Sequence, residues 1–161
     1  MAARLLLGLA IVSLWLPLVS AHAQSERKPT AREIAAIRTC AAKYQDDVDE
    51  GERQCLFKLV ATPCITPEGA TTQGTAFCYH IERMIWDDLL NENFKNLLDV
   101  LDDQQTAKLR AMQHAWIAYR DTTCNFYMDK IQGTMAIPMG AACAARETAR
   151  RALLLRFFDQ M

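Results

Sequence analysis

The sequence predicts an all-α fold, a small antiparallel helical bundle stapled by disulfides and working outside the cytoplasm. Three observations carry that reading. Apolar residues recur at three- and four-residue steps along most of the chain, and no period-2 segment of useful length occurs. Six cysteines form an even set, which in a small exported chain reads as a disulfide framework. The N-terminus carries the signature of an export signal.

That signature has three parts. Arg4 gives a positive start, Leu5 to Leu18 form an apolar stretch without an acid or base, and Ala21-His22-Ala23 offers small residues at a cleavage site. Residues 1–23 are therefore expected to be a signal peptide cut after Ala23. Residues 24–29 are expected to be a disordered leader, and 30–161 a single helical domain. The apolar run is shorter than the roughly 20 residues a bilayer-spanning helix needs, so an anchor is disfavoured and no membrane association is expected after cleavage. Of 18 Lys and Arg, loss of Arg4 leaves 17 against 19 acids, a net charge of −2. Such a balance excludes the basic surface that nucleic acid or anionic lipid requires.

Each helix has its own signals. Thr30 with Glu33 matches a capping box, and Ile34, Ile37, Ala41 and Tyr44 give the first helix its face. Asp46 to Gly51 break it, and a short helix carrying Cys55, Leu56, Leu59 and Val60 ends before Pro63. Cys64 to Cys78, with Pro67, Gly69 and Gly74 between, reads as a loop. The most regular apolar face runs from Ile81 through Trp86, Leu90 and Phe94 to Leu101, predicting a helix over about 76–101. Leu109, Met112, Trp116 and Tyr127 predict a second over 104–130, packed antiparallel to the first with the faces of Trp86 and Trp116 both buried. A loop through Gly133, Pro138 and Gly140 leads to a last helix from about Ala141 to Phe158. The bundle is thus three longer helices plus one or two short N-terminal ones.

All six cysteines, Cys40, Cys55, Cys64, Cys78, Cys124 and Cys143, follow the signal. No pair stands at C-x-x-C spacing, and His80 and His114 form no paired ligand motif with them, so no metal or other cofactor is expected. Six cysteines allow 15 connectivities. Pairing in sequence order is expected because Cys40 and Cys55 flank an acidic turn and Cys124 and Cys143 flank the last loop. A Cys40–Cys78 or Cys55–Cys64 bridge stays open as the alternative.

Three clusters stand out on this helical background: Cys78-Tyr-His-Ile-Glu82-Arg-Met-Ile-Trp86-Asp87 continuing to Asn91 and Phe94, Gln113-His-Ala-Trp116-Ile-Ala-Tyr119-Arg120-Asp121-Thr-Thr-Cys124, and Cys143-Ala-Ala-Arg-Glu-Thr148-Ala-Arg-Arg151. Together, over about Cys64 to Phe158, they resemble the lysozyme inhibitor LprI-like N-terminal domain family of bacterial envelope proteins. Phe94 stands where that family usually has Tyr, Glu147 where it has Leu, and Gln132-Gly133-Thr134 where a Gly-Gly-Ser/Thr is common. The resemblance implies a periplasmic or secreted protein, without enzymatic activity, that blocks a lysozyme active site. A general envelope-interaction or stress module, with another envelope protein as partner, is the alternative.

Read physically, the motif residues look structural. Glu82, Asp87, Asn91, Arg120, Asp121 and Arg151 are expected to form a partly buried polar network that fixes bundle register. Partner contact is expected in the two cysteine-bounded loops, at Glu68 in one and at Met135 and Ile137 in the other, because preordered loops lose less entropy on binding. A small hydrolase is disfavoured. Ser25 is the only serine after the signal, the cysteines are needed for bridges, and no pattern selects a carboxylate pair.

Overall fold

The computed structural model describes residues 27–66 and 70–161; the expected signal peptide, residues 24–26 of the expected leader and Glu68 lie outside them. Every regular element among the described residues is a helix. The short N-terminal group is α1 (Ala31–Lys43), α2 (Val48–Cys55) and the single turn α3 (Ala61–Cys64), one more than the sequence reading counted. The long helices are α4 (Thr72–Val100), α5 (Asp103–Lys130) and α6 (Ala136–Asp159).

Local chemistry sets where they start. Thr30 and Glu33 close a reciprocal capping box on α1, and Asp102 and Gln105 close another on α5. Arg27 bonded to Glu33 holds that carboxyl down at about 2. Two starts fall earlier than the residue types suggest. Thr71 accepts the Gly74 N–H and launches α4 at Thr72, so half of the expected Cys64–Cys78 loop is helical. Helix α6 begins at Ala136 rather than Ala141, because Pro138 falls in its first turn, where an amide hydrogen has no partner to lose.

The connections make an up-down-up order. Asn93 of α4 donates to the Ala152 carbonyl of α6, so these two run parallel, while Arg151–Gln113 and Cys124–Cys143 set α5 antiparallel to α6. The closest helix pair is α4 with α6; α5 lies along α6 and scarcely meets α4. The expected packing of 76–101 directly on 104–130 is therefore corrected. Ala145, Ala149 and Ala152 give α6 a smooth buried face against which α4 closes, leaving α5 the other side.

The core is built from α4 and α6 and covered by α1 to α3. Ile37, Ile81, Ile85, Trp86, Leu89 and Leu155 are all buried there. Each such side chain is worth about 1.5–3 kcal/mol of burial. Gly51 lets α2 approach α6, since a Cβ there would sit 3.1 Å from a Leu153 methyl. Trp86 is wholly buried as expected, whereas Trp116 is only partly so. Disulfides join Cys40–Cys55, Cys64–Cys78 and Cys124–Cys143, the sequential set.

Candidate functional site

The six polar residues expected in one network fall into three separate groups. Glu82 is fully buried on the side of α4 that faces the N-terminal helices. One of its oxygens accepts the Phe57 N–H at 2.7 Å and the Trp86 indole N–H at 3.1 Å; the other accepts the Ala61 N–H at 2.8 Å. Phe57 has φ of 64°, a left-handed conformation that costs a non-glycine residue about 1–2 kcal/mol. The carboxylate thus pins a strained turn between α2 and α3. Burial pushes the Glu82 carboxyl above its ordinary value, and the three donors pull the other way.

The arginines sit on the opposite side of the bundle. Arg120 pairs with its neighbour Asp121 at 2.7 Å and lies 4.8 Å from the Trp116 ring centre. Arg151 is 5% exposed, donates through Nε to Gln113 at 2.8 Å, and lies 5.8 Å from the same ring. Its Nη2 has no partner among the described residues, and burial lowers its pKa. Asp87 and Asn91 form a third group, 3.4 Å apart on an exposed face of α4. No ion pair joins Glu82 to either arginine, because α4 turns Glu82 away from α5. Sequence reasoning missed the actual partners, Gln113 and two backbone amides. Gln113 was legible, three residues before Trp116 on the same face; the amides were not, since no side chain marks them.

The loop residues come together more closely than sequence separation suggests. The C-terminal end of α5 and the N-terminal ends of α4 and α6 lie at one pole of the bundle, each held near a disulfide. A cavity of about 610 Å³ there is lined by Cys64, Ile65, Phe77, His80, Ile137 and Ala141, joining both cysteine-bounded segments. A second hollow, about 350 Å³, sets Ala70, Thr72 and Tyr79 against Met135, Pro138 and Met139. A third, about 290 Å³, shares Ile137 and Ala141 with the first and is walled by Arg83 and Arg120. Met135 is 57% exposed as the residue before α6, while Ile137 is half-buried inside the helix rather than on a loop. His80, 3.3 Å from Arg83, has its pKa lowered by burial and then by that cation.

This pole is apolar in its hollows, carries cations on one rim, and is held by two covalent bridges. Among the described residues no three His, Cys, Asp or Glu side chains converge as a metal site would require.

The chain matches the family model described as lysozyme inhibitor LprI over residues 64–155, more than half its length, and belongs to that family. No curated protein and no solved structure matches it.

Proposed function

We propose that this chain is a non-catalytic inhibitor that acts outside the cytoplasm and blocks a lysozyme cleft with the pole where its two cysteine-bounded segments meet. Membership of an inhibitor family supplies the target class. The observation that carries the assignment to this pole is the cavity shared by the Cys64–Cys78 segment and the start of α6. A glycosidase cleft is a concave surface around paired carboxylates. Obstructing its mouth takes a partly apolar surface held in place and no chemistry. Exposed Met135 and Met139 supply apolar surface, and the nearby hollow adds the Arg83 cation and the Arg120–Asp121 ion pair. Disulfides on both sides tether the segments at their ends, which lowers the entropy lost in the complex.

The test is a cell-wall lysis assay with several lysozyme classes and stoichiometric protein. Inhibition of at least one class is expected, and Met135→Asp with Ile137→Asp should weaken it by tenfold or more, about 1.4 kcal/mol. Full lysis with every class at stoichiometric protein sinks the inhibitor reading and leaves the general envelope-interaction module. Export is tested separately: sequencing the protein from the extracytoplasmic fraction should give Gln24 first.

A further inference from the structure

Helix α5 keeps large apolar groups in the open. Tyr119 is 54% and Phe126 60% exposed, two turns apart on the same side of the helix. Neither lines the hollows at the pole. At 3.6 residues per turn they share an arc of roughly 100° with Lys108, Ala111, Ala115, Ala118, Thr122 and Asp129. All eight are exposed, and no charge interrupts the face between Ala111 and Phe126.

The order of residues on this face is self-complementary. Lys108 and Asp129 stand equally far from the midpoint between Ala118 and Tyr119, and so do Ala111 and Phe126, and Ala115 and Thr122. A two-fold axis through that midpoint, perpendicular to the helix, would therefore lay α5 antiparallel on its own copy. Lys108 of each copy would then meet Asp129 of the other, closing both ends with opposite charges. Phe126 would fall at the level of Ala111, a large side chain against a small one, and at the axis the two Tyr119 rings would lie beside each other with the Ala118 pair on the opposite edge. Alanines at facing positions let helix axes come within about 8 Å. A two-fold contact needs the same patch to serve both sides, and this patch has that property.

We propose that the protein forms a two-fold dimer through the outer face of α5, in this register, with a second copy of the chain as the partner. The contact runs over about 33 Å of helix, 22 residues at 1.5 Å each. It leaves the pole free, so it is independent of lysozyme binding.

Sedimentation equilibrium of the purified protein from roughly 5 to 500 μM, the range that populates a modest interface, reads the outcome. The mass should rise toward that of two chains, and Phe126→Glu should raise the dissociation constant at least tenfold. Helical content of that variant, checked by circular dichroism, should match the parent because the side chain is exposed. Lys108→Glu alone should weaken the dimer, and adding Asp129→Lys should restore it, since the swapped charges meet again only in this register. A protein monomeric throughout the range, or a dimer indifferent to Phe126→Glu, overturns the proposal. Loss of lysozyme inhibition by Phe126→Glu in a protein that stays monomeric also overturns it, assigning the face to another partner.

Discussion

Helices α4 and α5 are neighbours in sequence, 29 and 28 residues long, both launched by side-chain caps, and yet they do opposite work. Nine residues of α4 are buried against two of α5, Leu109 and Cys124. The first is the axis of the core; the second is attached to α6 by an edge and a disulfide. Their buried polar groups differ in the same sense. Glu82 on α4 has a donor for every contact it makes, whereas Arg151, where α6 faces α5, has one hydrogen bond and a nitrogen left over. Length and regularity make a helix; what it buries decides whether the fold depends on it.

The contrast is testable, beginning where the largest effect is expected. Glu82→Leu strands two backbone amides and an indole N–H in the core, and each unsatisfied donor costs about 1–3 kcal/mol. A loss on the order of 4 kcal/mol or more is expected by urea titration. A loss below 1 kcal/mol would mean that the α2–α3 turn is not held through α4.

Replacing Cys124 and Cys143 by Ser removes the covalent tie on α5. The expected loss is about 2–4 kcal/mol, from a loop of this size reopened in the unfolded chain. Limited proteolysis should then cut within α5 before α4. Equal cutting of the two helices would erase the distinction between them.

The pH dependence isolates Glu82 more gently. Its carboxyl is raised in the folded state from an ordinary value of 4.5, so between those values the folded form binds more protons than the unfolded. Its contribution is thus most favourable below about 4.5 and declines as pH rises through the folded pKa. Subtracting the stability curve of Glu82→Gln from that of the parent should leave a difference that falls with rising pH. A difference that rises instead would reverse the assignment of burial as the dominant cause.

Arg151→Met should be the smallest change, within about 1 kcal/mol in either direction. The variant gives up one hydrogen bond and a ring contact but no longer keeps a guanidinium in the interior without a carboxylate. A loss above 3 kcal/mol would show that the α5–α6 seam is as finely satisfied as the core.

Much of this organisation was legible in the sequence. The helical period of Ile81 to Leu101 and the cap at Thr30 are local properties, and the spacing of cysteines around turns pointed to the pairing; the cap at Thr71 was hidden in a segment that reads as a loop. The resemblance in three clusters marked the family. What stayed hidden was which side of α4 each charge faces. Glu82 and Arg120 both lie near tryptophans in sequence, but Glu82 answers to amides 25 and 21 residues upstream, which no side-chain pattern announces. The start of α6 was missed because Pro138 and Gly140 read as loop residues until the first helical turn is allowed for. At the candidate site, Met135 and Ile137 were legible as apolar residues beside a bridge; the meeting of Ile137 with Phe77 and His80, and of Met135 with Tyr79, required the fold.

The disulfides carry one more consequence, for the order of events at the membrane. The cysteines are bonded in consecutive pairs, first with second, third with fourth and fifth with sixth, at separations of 15, 14 and 19 residues, and the bridges neither cross nor nest. On the export reading, a chain threading outward from its N-terminus delivers Cys55 while Cys40 is the sole thiol waiting, and each later pair arrives after the earlier one has closed. An oxidant that simply joins consecutive thiols then produces the native set without proofreading. Cells with that oxidant but lacking a disulfide isomerase should yield fully native protein. Refolding the reduced chain all at once, with its 15 connectivities open, should yield scrambled forms.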